Sequence, residues 1–133
     1  MNYFEPHLTP DELRAISAIG LAHMGDAVYE TLVRTWLCVH GKATGKDLHR
    51  ATIALVCAQK QAELAQRVLP QLTEEELAVY KRGRNANVHA MPRSATPAQY
   101  HAATGLECLM GWLYLQGDKE RAEQLFHAMM EEE

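Results

Sequence analysis

The sequence lacks the long uncharged apolar run that a membrane span requires. Its longest apolar stretches are interrupted by Asp26, Glu30 and Glu107, whereas a bilayer span needs roughly 18 consecutive apolar residues. The first residues, MNYFEP, contain no basic cluster that leads into an apolar stretch, so no export signal is recognisable. We therefore expect a protein that remains in the cytoplasm.

Cysteine is scarce, and its spacing excludes two classes of small protein. The three cysteines, Cys38, Cys57 and Cys108, are far apart and form no Cys-x-x-Cys pair, so we predict neither a zinc knuckle nor a disulfide framework. The seven histidines include no His-Glu-x-x-His motif, the commonest signature of zinc hydrolases. The sequence thus argues for reduced thiols and against soft-metal chemistry.

Signals for β-structure are also missing, whereas signals for helices are strong. No alternating apolar and polar run is bounded by Asn-Gly or Asp-Gly, the usual sign of a hairpin. Capping hydroxyls mark helix starts at Thr9-Pro10, Thr73 and Thr96-Pro97. Further helical stretches cover residues 18–40, 97–116 and 118–130, and residues 46–69 are predicted to form one or two helices. With 133 residues, 47% of them apolar, the chain is predicted to form a single all-α domain of about six helices over residues 1–133.

The net charge of -4 is unevenly distributed along the chain. Residues 1–30 carry a net charge of -4, residues 31–106 a net charge of +5, and residues 107–133 a net charge of -5. Residues 77–106 contain four bases and no acid. A locally basic surface that suits nucleic acid is therefore compatible with the acidic total. The alternative is a basic helix end balanced by acidic neighbours in the fold.

Asp26 stands out because it lies in the middle of the longest apolar helix. Helical spacing places it near Ala22 and Val33, which predicts a semi-buried carboxylate. Such a group needs a cation or several hydrogen-bond donors, because desolvation otherwise neutralises it. Gly25 beside it costs the helix roughly 1 kcal/mol relative to alanine, which indicates a close approach of backbone or ligand. The alternative is a salt bridge, for example from Asp26 to Arg34.

Glu107 repeats this pattern in a second helix. Its neighbours four residues away, Ala103 and Gly111, are both small and would leave room for a hydrated ion. Two such carboxylates on facing helices would make an oxygen-only site suited to Mg²⁺, which keeps several of its waters. The pairing of Asp26 with Glu107 is an inference, because sequence alone does not show that their helices touch.

At these positions the sequence resembles the ribonuclease III family. Gly25-Asp26-Ala27-Val28 resembles the core of the family signature, and the segment from Glu107 to Tyr114 resembles its second acidic helix. Further similarity lies in Asp47-Leu-His49, in Gln61-Ala-Glu63, and in the segment from Glu74 to Ala86, where Lys81-Arg-Gly-Arg-Asn-Ala86 is the most specific part. Within the family the chain resembles Mini-ribonuclease III, a small bacterial form with the nuclease domain and no double-stranded-RNA-binding domain. The similarity covers roughly residues 17–125.

The resemblance implies an all-helical endonuclease domain that acts as a homodimer on double-stranded RNA, with Mg²⁺ bound by the catalytic acids Asp26 and Glu107. It also implies 5′-phosphate and 3′-hydroxyl products and a large-subunit (23S) ribosomal RNA precursor as the substrate. The full-size family has two further acids, at positions that are Ala22 and Thr104 here. Mini-ribonuclease III also lacks these two acids, so their absence affects the expected number of metal ions and not the expected activity. The expected dimer seam is the signature helix, with the candidates Leu21, His23, Met24 and Val28.

RNA contacts are expected on the basic segment that the resemblance includes. Arg82, Arg84 and Arg93 would contact phosphates, and Asn85 would reach a phosphate or a 2′-hydroxyl, a shape-based mode suited to A-form RNA. The alternatives are a solvated face for the arginines and a helix C-terminus for Asn85.

A histidine base is not required by this chemistry. Bound Mg²⁺ can activate a water and stabilise the charge on the scissile phosphate, so neither acid need accept the proton. His89 and His101 lie in the basic segment, but a lone histidine near a helix end is more often structural. We therefore assign no histidine as general base.

Two rival functions belong to other classes of protein. One is a non-catalytic RNA-binding relative that keeps the fold and the basic surface. The other is a helical dimerisation or adaptor protein in which both acids form salt bridges. The first predicts RNA binding without Mg²⁺-dependent cleavage, and the second predicts no affinity for RNA.

Overall fold

The computed structural model describes residues 1–87 and 93–131. Over these residues the chain is helical and contains no strand, and none of its helices is long and apolar enough to cross a membrane. The all-α prediction is confirmed, with the predicted stretch 46–69 divided into two helices. The elements are α1 (Pro10–Arg14), α2 (Ala18–Val39), α3 (Gly45–Val56), α4 (Ala58–Val68), a 3₁₀ turn (Leu69–Gln71), α5 (Glu74–Arg84), α6 (Pro97–Gln116) and α7 (Lys119–Met129).

The helix ends follow the local sequence signals. At the starts of α1, α5 and α6, Thr9, Thr73 and Thr96 each exchange hydrogen bonds with the third residue of the helix, which closes a capping box. Gly41 and Gly117, which follow α2 and α6, have φ values of +92° and +94°. Glycine adopts this left-handed conformation without strain, so it ends both helices.

Helix α6 is the centre of the fold. It packs against α2, α4 and α5, and its residues Leu106, Leu109 and Met110 are 0% exposed. Each leucine buried in this way stabilises the fold by about 2 kcal/mol. Because α6 is held from several sides, the backbone position of each of its residues is well defined.

Two glycines allow α2 and α6 to cross with their backbones in contact. A Cβ atom on Gly25 would lie 1.6 Å from the Glu107 carbonyl oxygen, and one on Gly111 would lie 2.0 Å from the Leu21 carbonyl oxygen. Neither position accommodates a side chain, so the glycines set how closely the helices approach. The close approach predicted at Gly25 is confirmed, and its partner is the α6 backbone. The expectation that Gly111 leaves room for an ion is wrong, because the α2 backbone fills that space.

The corner between α3 and α4 is held by side chains of the neighbouring helices. Cys57 is extended there, with φ of -65° and ψ of 153°. The Tyr29 hydroxyl donates to the Leu55 carbonyl oxygen at 2.8 Å, and Gln61 Nε2 donates to the Val56 carbonyl oxygen at 2.9 Å. These bonds satisfy carbonyl groups at the end of α3 and fix the corner beside α6.

Candidate active site

The crossing of α2 and α6 brings Asp26 and Glu107 together. Their carboxyl groups are close enough to share a hydrogen bond. Asp26 is exposed, whereas Glu107 is half-buried. Burial and the adjacent Asp26 carboxyl together raise the pKa of Glu107 to about 8, and burial makes the larger contribution. At neutral pH the pair therefore retains a proton unless a cation takes its place.

Asp26 is more exposed than its helical spacing predicted. It follows Gly25, which belongs to the buried face of α2, and one residue step of about 100° turns it toward solvent. The predicted semi-buried setting is therefore wrong for Asp26, although it describes Glu107. The alternative salt bridge to Arg34 is also wrong, because Arg34 binds Glu30 at 3.0 Å.

An open cleft of about 280 Å³ gives access to Glu107. We call it the carboxylate cleft; its lining residues are Val56, Cys57, Ala58, Gln61, Ser94, Tyr100, Ala103, Thr104 and Glu107. A water molecule occupies about 30 Å³ in the liquid. The cleft therefore has room for several waters or for a phosphate group beside the acids.

The two carboxylates fit a hydrated magnesium ion. No group of three or more histidine, cysteine or acidic side chains within residues 1–87 and 93–131 could hold a metal. The protein ligands available at this site are therefore the carboxylate oxygens of Asp26 and Glu107. Mg²⁺ is usually bound by one or two carboxylates and keeps several waters. A cation would also compensate the two adjacent negative charges that contribute to the raised Glu107 pKa. This donor set suits a hard divalent cation better than zinc.

The basic segment that was predicted to contact RNA begins at the end of α5. Arg82, Arg84 and Asn85 are all exposed. The Arg84 guanidinium lies 6.0 Å from the centroid of the Tyr80 ring, and Arg84 Nε donates to Asn85 Oδ1 at 3.2 Å. Asn85 is the C-cap residue of α5, as its structural alternative predicted. Its exposure leaves it accessible to a ligand as well.

Gly83 docks this segment against α6. A Cβ atom on Gly83 would lie 2.9 Å from the Thr104 carbonyl oxygen, so a larger residue would push the helices apart. Arg93 is exposed and precedes Ser94, which lines the carboxylate cleft. Arg82 lines a separate hollow of about 240 Å³. The structure thus places Arg93 next to the cleft and Arg82 outside it.

Comparison with known proteins identifies the family. Residues 20–118 match the family profile described as Ribonuclease III domain. The chain belongs to the ribonuclease III family. Members of this family are endoribonucleases that depend on metal ions in general and act on double-stranded RNA. The matched range contains both acids and the whole basic segment, so the resemblance found in the sequence is confirmed.

Two relatives by sequence and one solved structure each align with most of the chain. Mini-ribonuclease 3 from Symbiobacterium thermophilum is 46% identical over 108 residues, which are 81% of this chain and 83% of the relative. Mini-ribonuclease 3 from Enterococcus faecalis is 42% identical over 118 residues, which are 87% of this chain and 89% of the relative. A crystal structure of a Fusobacterium nucleatum protein, 30% identical, superposes with a TM-score of 0.79 and covers 86% of this chain and 93% of that one. The fold is therefore one that a solved structure shares.

The basic segment contains two histidines, His89 and His101, to which no catalytic role was assigned. His101 is half-buried, with its ring centroid 6.3 Å from that of Tyr100, and it does not line the carboxylate cleft. His89 lies outside the described residues. That cleavage needs no histidine base stays a prediction.

Sequence reasoning missed the role of Gln61 in building the cleft. Gln61 is 3% exposed and lies in the buried face of α4 together with Leu64, Ala65 and Val68. An amide at an apolar position of an amphipathic helix is unusual, because a buried polar group needs hydrogen-bond partners. This break in the apolar pattern is the signal that points to Gln61.

Proposed function

We propose that the chain is a Mg²⁺-dependent endoribonuclease that cleaves double-stranded RNA and leaves a 5′-phosphate and a 3′-hydroxyl. Asp26 and Glu107 are its catalytic acids and metal ligands. The observation that carries the proposal is the pair of adjacent carboxylates beside an open cleft, with a strongly raised Glu107 pKa that signals an uncompensated charge. Similarity to relatives named Mini-ribonuclease 3 supports it.

The two acids would hold the ion at the crossing of their helices. When bound, Mg²⁺ would supply an activated water and a counter-charge for the scissile phosphate. Asp26, exposed on α2, and Glu107, half-buried on the central helix α6, would provide its protein ligands. Since the helix backbones touch at this level, the backbone positions that carry the two acids are fixed before substrate arrives.

The distribution of ion pairs supports RNA binding despite the net charge of -4. Six of the bases bind an acid among the described residues: Arg14, Arg34, Lys60, Arg67, Lys119 and Arg121. The other bases have no acidic partner within the part of the chain that the structure describes: Lys42, Lys46, Arg50, Lys81, Arg82, Arg84 and Arg93. Unpaired bases are the groups that neutralise phosphates. We propose that Arg82, Arg84, Asn85 and Arg93 bind the RNA backbone.

The proposed natural substrate is a large-subunit (23S) ribosomal RNA precursor in the cytoplasm. The similarity to relatives named Mini-ribonuclease 3 supports this proposal. We further propose that residues 1–133 act as a single catalytic domain. The exposed bases of this domain would then contact the RNA.

We propose that the active form is a homodimer joined along α2. An apolar hollow of about 450 Å³ follows this helix and is lined by Met24 and Val28 among others, while Phe4 at the same hollow is 85% exposed. Leu21, also expected in the seam, is 0% exposed inside the core, so that part of the prediction is wrong. Light scattering should give twice the mass of the chain, and Met24→Lys should give the mass of one chain.

The test of the function uses purified protein and long duplex RNA, with Mg²⁺ in one arm and a chelator in the other. We expect cleavage in Mg²⁺ alone, and product ends that a 5′-monophosphate-dependent exonuclease can digest. Binding without cleavage in either arm would favour the non-catalytic RNA-binding relative. No binding in either arm would favour the adaptor protein.

A further inference from the structure

Gln61 is a buried polar residue that the acid pair alone does not explain. It is 3% exposed on the apolar face of α4, where a leucine or methionine would pack without polar atoms. Gln61 and Glu107 line the same cleft. Gln61 is therefore a buried neighbour of Glu107 at the cleft.

The orientation of the Gln61 amide is fixed by the corner between α3 and α4. Its Nε2 donates to the Val56 carbonyl oxygen at 2.9 Å. The flipped amide would place Oε1 against that carbonyl oxygen, two acceptors in contact, so the flip is excluded. Gln61 also lies close enough to Glu107 for its amide to lower the pKa of that carboxyl, against the effect of burial. The amide that is fixed to the end of α3 thus lies beside the side chain of Glu107.

This arrangement leaves one polar atom unsatisfied. Gln61 Oε1 is buried and has no hydrogen-bond partner among the described residues. A buried acceptor without a donor destabilises the fold, because it has lost its hydrogen bond to water and gained none. An apolar residue of the same size would avoid that cost, so stability alone does not account for a glutamine at this position.

We infer that Gln61 is a positioning residue of the active site, which holds one oxygen of the Glu107 carboxyl through Nε2 so that the other oxygen faces Asp26 and the cleft. The inference rests on the proposed role of Glu107 as a metal ligand. A half-buried carboxyl on a helix has several rotamers, and a metal site needs its ligands held to within about 0.5 Å. Hydrogen bonds from residues behind the ligands commonly supply this order, and their loss weakens metal affinity or activity by about 10–100-fold.

The test replaces Gln61 by methionine, which keeps the volume and removes both the donor and the unsatisfied acceptor. We expect Gln61→Met to weaken Mn²⁺ binding, measured by electron paramagnetic resonance without RNA, by about 10–100-fold. The rate of single-turnover cleavage at saturating Mg²⁺ should fall as well, while the denaturant midpoint stays equal or rises. A crystal structure of the metal-free variant should show Glu107 in a changed or split rotamer.

The matched control is Thr52→Val. Thr52 is 5% exposed and donates to the Leu48 carbonyl oxygen at 2.7 Å, so this variant also removes a buried polar group near the same corner. We expect it to retain Mn²⁺ affinity. A loss of Mn²⁺ affinity in Gln61→Met that exceeds the loss in Thr52→Val supports the inference, whatever the stability of the two variants.

Unchanged Mn²⁺ affinity together with an unchanged Glu107 rotamer would overturn the inference and leave Gln61 a structural residue of the corner. The proposed function fails separately, when the wild-type protein does not cleave duplex RNA. In that event the Mn²⁺ affinity and the Glu107 rotamer still decide the role of Gln61, since neither measurement uses RNA.

Discussion

Two glutamates of this chain are withdrawn from solvent, and their surroundings are opposite. Glu76 on α5 is 5% exposed and binds Arg121 of α7 through both carboxylate oxygens, at 2.8 and 2.9 Å. The hydrogen bonds from Arg121, and those from Thr73, lower the pKa of Glu76. Glu107 on α6 faces a second carboxylate, and its pKa is raised to about 8.

Glu76 stabilises the fold, whereas Glu107 is the acid that is proposed to bind a cation. Glu76 has its acceptor positions filled by the chain, so it contributes stability and offers nothing to solvent. Glu107 is kept beside a like charge at an open cleft, which is unfavourable for folding and useful for binding a cation. Of the four experiments below, the first three act on one or the other glutamate and the fourth acts on the bases proposed to contact RNA, from the largest expected effect to the smallest.

Glu107→Gln and Asp26→Asn should each reduce the rate of cleavage by about 10³-fold or more, because they remove ligand charge at nearly constant volume. Fold and RNA affinity should remain. The measurement is single-turnover cleavage of duplex RNA at saturating Mg²⁺. Glu76→Gln is the matched control, and its folded fraction should cleave at a near-normal rate. Near-wild-type turnover in either site variant would remove that residue from the site.

Arg121→Met should lower the free energy of unfolding by about 3 kcal/mol, because it leaves the buried Glu76 carboxylate without its cation. Urea denaturation measures this change. Lys119→Met is the matched control: its pair with Glu5 at 3.2 Å is exposed, and such pairs contribute under about 1 kcal/mol. Equal losses in the two variants would show that the Glu76 pair stabilises no more than a surface pair.

In the metal-free protein, the two glutamates should make the stability depend on pH in opposite ways. Glu107 titrates at about 8 in the folded chain, above its ordinary value of 4.5, so the folded state binds more protons between these values and stability falls as pH rises through them. Glu76 has a lowered pKa, so its contribution is present above 4.5 and is lost as pH falls through the folded value.

Metal-free Glu107→Gln should therefore gain stability relative to the wild type between pH 6 and pH 9, by roughly 1–3 kcal/mol at the upper end. Glu76→Gln should show its largest loss above pH 5 and little loss at pH 3. The measurement is the urea midpoint of each variant between pH 3 and pH 9. A constant difference between Glu107→Gln and the wild type at every pH would contradict the raised pKa.

The smallest expected effects are at the bases that are proposed to contact RNA. Arg82→Ala, Arg84→Ala and Arg93→Ala should each weaken duplex binding by a few-fold and reduce the salt slope by about 1, because each removes a phosphate contact. Lys119→Ala should do much less. Arg121 is unsuitable as a control because it holds Glu76. Affinity should be measured against salt concentration in Ca²⁺ or in an Asp26→Asn background; equal slopes throughout would place the RNA surface elsewhere.

Helix positions could be predicted because their signals are local. The boxes at Thr9, Thr73 and Thr96 involve residues only three apart, and the glycine at position 117 acts on the turn beside it. The pairing of Asp26 with Glu107 was an inference, since no local pattern relates two acids that are 81 positions apart in the chain.

The details of the site depend on packing, which local patterns do not contain. Asp26 is exposed because Gly25, one residue before it, is the position that faces the α6 backbone. Arg121 is one base in an acidic stretch of the sequence, yet it is bound to Glu76, 45 residues away. The break that Gln61 makes in the apolar face of α4 is visible in the sequence, but its carbonyl partner and its acid neighbour are not.

The contact of α2 with α6 at Gly25 and Gly111 also determines how the enzyme loses function on heating. The acids are carried by the two helices that approach most closely, so they separate only when these helices part. Sites on loops often open before the rest of the molecule unfolds. Here thermal inactivation should coincide with the unfolding transition, and the amide protons at the crossing should exchange with solvent only through global unfolding.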